Sequence, residues 1–237
     1  MNTISSEHLR SFFARGDSVC DCLIQDISFG KLNVGSIRLS GCFLEGCDFD
    51  GFEGDFLDLS RCEMPKTSLR DADSDTVRFN HCGMAECRFS GSDLHNAVFE
   101  TCDLSGVAFF ESNLSGACFS NCKILGADFA KAHLTGIGFR HCNLQMANLK
   151  LHKFRKQHFI GVDFNEAELV DCDFTDALFE NCRLGTANVS NAVFVNADLT
   201  TADLTGFNAS SCKSLKNAWI TQCQAAQLLA KFEINII

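Results

Sequence analysis

From Ile24 to Leu204 the chain repeats with a period of five. Of the 37 residues taken at every fifth position, all but Gly54 and Ser74 are Leu, Phe, Ile, Val or Met. Two residues earlier, 23 of the 37 positions are Ala or Cys, and Asp or Asn commonly separates the two, as in CDLSG, ADLTT, ADFAK and ANLKL. A spacing of two puts both apolar side chains on one side of an extended backbone. The 3.6-residue beat of a helix is missing. Each unit therefore predicts a short extended segment with one face inward.

A slower beat lies over the first. Cys22, Cys42, Cys62, Cys82, Cys102, Cys122 and Cys142 are twenty residues apart, and after Val162 the beat resumes at Cys182. Internal periodicity of this kind outranks any other sequence signal. Four units of five make twenty, so the predicted object is a square coil with four short sides, each coil stacked on the last. The sides can be read separately. One carries the Cys column with Leu44, Met64, Met84, Leu104, Ile124 and Leu144. Another side carries Phe79, Phe99, Phe119, Phe139, Phe159 and Phe179, and a third carries Phe89, Phe109 and Phe129. Rings and thiols segregate this way only if residues twenty apart touch. At roughly 4.8 Å per stacked strand, about nine coils would span roughly 43 Å.

The phase does not slip, so a single repeat domain is expected over 21–207, between two caps. In the first, 1–20, SSEHLRSFFARG predicts a helix with Ser5 or Ser6 as N-cap and Gly16 as its stop. Leu9, Phe12 and Phe13 form its apolar stripe, suited to covering the open end of a solenoid. In the second, 208–237, Thr221 and Gln224 fit a capping box that starts a helix through QAAQLLAKF. Trp219, Leu228, Leu229, Phe232, Ile234 and Ile236 make more apolar surface than a cap needs, which predicts a homodimer contact.

Composition changes this picture little. Fifteen Cys suit reduced, packed thiols, because eleven share the slot otherwise filled by Ala. The N-terminal segment has no apolar run of a signal peptide and no stretch is long enough to span a membrane, so a cytoplasmic protein without membrane association is expected. No catalytic or cofactor fingerprint is found, so no enzyme activity and no cofactor are expected. Cys20-x-Cys22 tempts a zinc reading, but thiols in a line cannot converge on one tetrahedral ion.

Charge is unevenly spread. Residues 41–60 hold six acids and no base, 131–160 net +6 with no acid, and 161–210 net −8. The formal net charge of −10 speaks against direct nucleic-acid binding. Glu53, Asp55, Asp73, Asp75, Asp93 and Glu111 share one side of the early coils and form a candidate partner-binding face. Solvation alone would also place them outward. Lys131, Arg140, Lys150, Lys153, Arg155 and Lys156 form a basic belt. Within it, His152 and Gln157 occupy inward slots, so the coil holding His152, Lys153, Arg155, Lys156 and Gln157 is expected to be irregular.

Units matching A(D/N)LXX resemble the pentapeptide repeat proteins over residues 20–207. That resemblance implies a right-handed quadrilateral parallel β-helix. The units rich in Cys and Phe, such as CDFTD and CRFSG, and the segment from Trp219 to Ile236 are similar to the quinolone-resistance (Qnr-like) branch. This implies a homodimeric DNA mimic that binds type II topoisomerase, DNA gyrase or topoisomerase IV, and protects it from quinolone-type inhibitors. Members of that branch with projecting loops differ from this chain, whose unbroken phase leaves no room for an insertion. A repeat scaffold that binds another protein, with no topoisomerase role, is the competing expectation.

Overall fold

The computed structural model describes residues 2–230. The fold is a parallel β-solenoid of about eight turns with two short helices, close to the nine coils expected. The chain divides into two compact units, 1–137 and 138–237.

In the first unit the elements run β1 (Asn2–Thr3), α1 (Ser6–Ala14), β2 (Val19–Cys20), β3 (Cys22–Gln25), β4 (Ser36–Ser40), β5 (Phe43–Glu45), β6 (Glu53–Gly54), β7 (Phe56–Ser60), β8 (Asp73–Ser74), β9 (Val77–Asn80), β10 (Val98–Glu100) and β11 (Cys118–Ser120). All pairings are parallel. β2, β4, β7, β9, β10 and β11 form one ladder, β1, β3 and β5 a second, and β6 and β8 a third. The register is twenty: Phe79 faces Phe99, and Phe99 faces Phe119. Even Asn2 pairs with Cys22, so the ladder begins ahead of the helix rather than after residue 20.

The helix replaces part of a coil. Ser5 caps its start, and Leu9 and Phe13 are buried beneath it. Gly16, with φ 76°, ends it in a Schellman arrangement, its N–H donating to Phe13 O and that of Asp17 to Phe12 O.

Rings fill the core in two columns. Phe99 stacks on Phe119 with centroids 4.5 Å apart and planes 3° off parallel. Phe89 stacks on Phe109 at 5.2 Å. The columns meet edge to face, with Phe89 and Phe99 6.1 Å apart at 85°, the arrangement that aromatic quadrupoles favour. On the side between these two columns the thiols fill the small slot because they can do what Ala cannot. Cys82 Sγ donates to Leu59 O at 3.3 Å, and Cys102 Sγ to Phe79 O at 3.5 Å. Each sulfur thus reaches a carbonyl of the coil before. Cys22, at the start of the column, is only half-buried.

The second unit holds β12 (Gly138–Arg140), β13 (His158–Ile160), β14 (Leu178–Glu180) and α2 (Gln222–Ala230). Its three strands form a parallel ladder in which Phe159 faces Phe179, with ring centroids 5.2 Å apart. Past Leu204 the coil does not stop. Val193 bridges Ser214 and Asp198 bridges Trp219, a step of 21 rather than twenty. A 3-10 turn at Ala209–Ser211 lies in this longer coil.

The Asp or Asn of the motif makes the corners. Asp203 Oδ1 accepts the N–H of Thr205 at 2.9 Å, and Asp173 Oδ1 accepts both the N–H and the hydroxyl of Thr175. This is an Asx-turn repeated along the chain. One residue further the backbone takes positive φ, as at Asn96 (56°), while Ala97 N–H donates to Leu94 O at 3.0 Å. Positive φ at that position of a four-residue turn is what type II geometry demands.

Candidate functional site

Because the inward positions are all committed to packing, any site must be built from the outward columns. In the first unit Glu53 pairs with Asp73 in register, and Asp73 bridges Asp93. Asp55 and Asp75 stand two residues on and are exposed. Three carboxylates thus stack one per coil, with two more beside them. Asp93 is the least free of the set. It accepts from Asn113 Nδ2 at 3.0 Å and lies 3.0 Å from His95 Nδ1. Glu111 occupies a different column, a corner, where Lys131 pairs with it at 3.1 Å. The sequence placed these six on one side; the structure gathers five of them closely and ties the sixth to a lysine.

In the second unit the basic coil is regular. Leu151 N–H donates to Val170 O, Lys156 N–H to Thr175 O, and Lys153 bridges Asp173. The irregularity expected from His152 and Gln157 is therefore corrected. Both side chains stay half-buried, so their extra bulk is relieved by exposure, and the backbone ladder need not break. Much of the cationic charge is answered one coil on: Lys150 pairs with Glu168 at 3.2 Å and Arg155 with Asp173 at 2.5 Å, while His158 Nε2 lies 2.9 Å from Glu180 Oε2. Lys150, Arg155 and His158 are exposed and their partners half-buried, and pairs of this kind at the surface contribute little each. Two corner residues of this coil, Met146 and Leu151, are exposed apolar side chains. They escaped the reading of the sequence, because it followed the inward positions; the signal was an apolar residue in a slot that, Phe56 apart, is filled elsewhere by glycine or polar residues.

At the C-terminal end Gln224 closes the last coil. Its Nε2 donates to Leu199 O at 2.8 Å and to Ala202 O at 2.7 Å. The same side chain completes the expected capping box: Thr221 N–H donates to Gln224 Oε1 at 2.7 Å, and Gln224 N–H to Thr221 Oγ1 at 3.2 Å. Trp219 is 67% exposed, with Ile220 and Leu229 also open to solvent and Leu228 half-buried. Phe232, Ile234 and Ile236 lie outside the described residues.

Burial pushes Cys87 and Cys172 up to about 12 and Cys182 to about 11, so each stays protonated and donates its hydrogen bond. Among the described residues no group of three or more His, Cys, Asp or Glu side chains could hold a metal, and no helix is long and apolar enough to cross a membrane.

The chain matches the family described as pentapeptide repeat region over residues 72–149 and 137–209. Among solved structures it is similar to QnrB1, described as a plasmid-mediated fluoroquinolone resistance protein. A trypsin-treated form is 20% identical with a TM-score of 0.67, covering 93% of this chain and 100% of that one. The full-length form is 18% identical with a TM-score of 0.65, covering 92% and 99%. No curated protein sequence matches.

Proposed function

The chain belongs to the pentapeptide repeat family, and from that premise we propose that it is a DNA-mimicking protein that binds a type II topoisomerase, DNA gyrase or topoisomerase IV, and protects it from quinolone-type inhibitors. The observation that carries this reading is the pair of acidic columns, Glu53, Asp73 and Asp93 beside Asp55 and Asp75. At roughly 4.8 Å per coil, two such columns offer one carboxylate per about 2.4 Å. Duplex DNA carries one negative charge per ~1.7 Å. A groove built to hold phosphates would meet a comparable, fixed line of charge. QnrB1, similar in fold, is a fluoroquinolone resistance protein by description, which agrees in direction. On this reading two copies join through Trp219, Ile220 and Leu229, and the protein acts by binding, with no catalysis of its own.

The test is gyrase supercoiling with and without ciprofloxacin. Micromolar protein is expected to restore supercoiling in the presence of the drug. A variant carrying Glu53→Gln, Asp55→Asn, Asp73→Asn and Asp75→Asn is expected to lose that effect while keeping its melting temperature. Neither inhibition nor rescue by the parent protein would leave the scaffold reading in its place. For assembly, Leu229→Lys is expected to turn a dimer into a monomer by light scattering; an unchanged mass would remove Leu229 from the contact.

A further inference from the structure

The thiols of the first unit form a line in which the rungs are alike. Cys42 Sγ donates to Val19 O at 3.5 Å and to Ser40 O at 3.6 Å. Cys82 Sγ meets Leu59 O at 3.3 Å and Asn80 O at 3.5 Å, and Cys102 Sγ meets Phe79 O at 3.5 Å and Glu100 O at 3.4 Å. Thiols held to equivalent carbonyls in each coil lie one coil rise apart, roughly 4.8 Å. The rings of the same coils measure that rise: Phe79 and Phe99 stack at 5.0 Å, and Phe99 and Phe119 at 4.5 Å. A disulfide needs β-carbons roughly 3.5–4.5 Å apart. Neighbours on this line stand at or beyond the far end of that range, and each is a free thiol.

The same rise suits a different bond. Two metal–thiolate bonds of roughly 2.3 Å, laid end to end, span roughly 4.6 Å. Soft ions such as copper(I) select thiolates and accept two of them in a line, whereas zinc wants four around a point. Thiols of successive coils therefore offer what a linear ion needs and a tetrahedral one cannot use. Access selects the pair. Cys42 and Cys62 are 2% and 0% exposed, while Cys22 is half-buried at the start of the column, with Asn2 of β1 as its partner on the far side. Cys62 stands behind Cys42, and the hydrogen bond between them brings the Cys42 thiol down to about 7. We propose that Cys22 and Cys42 bind one copper(I) ion in linear coordination. The ion displaces both thiol protons to solvent, each sulfur exchanging its S–H bond for an S–Cu bond, and no electron changes hands. Cys20 is exposed and belongs to β2, in another ladder, so it stands off the line. The site shares no residue with the acidic columns and does not depend on the topoisomerase reading.

The experiment titrates the full chain, reduced and under nitrogen, with copper(I) in competition with the chromophoric chelator bicinchoninate. One ion per chain is expected to bind tightly, and X-ray absorption at the copper edge should show two sulfur neighbours. Cys22→Ala and Cys42→Ala should each weaken binding by more than the roughly hundredfold that loss of a merely supporting group costs. Ala fills the same slot at Ala97 and Ala117, so both variants should keep the fold. Cys20→Ala should bind as the parent does, and zinc(II) at equal concentration should not compete. In the parent, bound copper should also slow amide exchange in β3 and β5, which the ion would join. The proposal is overturned if copper(I) fails to bind, if its sulfur neighbours number three or more, if zinc(II) displaces it, or if Cys20→Ala costs as much affinity as Cys22→Ala.

Discussion

Replacing Phe99 by Ala tests the stacked-coil geometry at its centre. The ring is fully buried and sits within 4.5 Å of Phe119, 5.0 Å of Phe79, 6.1 Å of Phe89 and 6.2 Å of Phe109, centroid to centroid. Truncation removes the apolar transfer of a phenyl group and leaves a cavity, a loss of about 3–5 kcal/mol for a buried Phe. Parallel backbones pinned by hydrogen bonds on both sides leave little freedom to collapse into the gap, so the upper half of that range is expected. Because repeats couple only to their neighbours, the damage falls on the interfaces with the coils of Phe79 and Phe119. For a chain of this size about 4 kcal/mol lowers the melting temperature by roughly 8–16 °C. Differential scanning calorimetry measures the shift, and amide exchange should report it at Val98–Glu100 and its two partner strands. Val98→Ala, next in sequence but exposed, is the control and should change stability by less than about 0.5 kcal/mol. A Phe99→Ala loss no larger than that of the control would refute the inward column.

Gln224→Ala strips the hydrogen bonds from Leu199 O and Ala202 O and half of the capping box. We expect a loss of about 1–3 kcal/mol, with exchange rising first in the coil that ends at Trp219; unchanged exchange there would refute the plug. The Asx corners make a pH prediction. The N–H of Thr205 holds the Asp203 carboxyl below the ordinary value, and Asp103 and Asp173 are lowered, against the effect of burial, by the hydrogen bonds of Ser105 and Thr175 and by Lys123 and Arg155. Lowered carboxyls contribute stability that is present above the unfolded value near ~3.9 and is lost as pH falls through the lower folded values. Changing Asp103, Asp173 and Asp203 to Asn keeps an acceptor at each turn and removes the titration. The acid limb of the stability curve should become shallower; coincident limbs would contradict the assignment.

Much of this fold was legible in the sequence because a solenoid repeats one local decision. Small residue, Asp or Asn, then Leu or Phe fixes an extended pair facing inward and a turn capped by its own side chain, so the period alone told Phe99 to lie between Phe79 and Phe119. The helix ends were legible for the same reason: Ser5, Gly16 and the Thr221–Gln224 box act on backbone groups within a few residues. What the sequence could not decide was whatever depends on the coil above or below. It did not show that Gln224 also seals Leu199 and Ala202, that a step of 21 carries the chain past Leu204 to Trp219, or that Lys131 claims Glu111 while Asp93 remains with Glu53 and Asp73. Nor did it show that His152 and Gln157 leave the ladder intact. Periodicity specifies which side chains turn inward; partners of the outward ones are settled only when neighbouring coils bring side chains some twenty residues apart within a few ångströms.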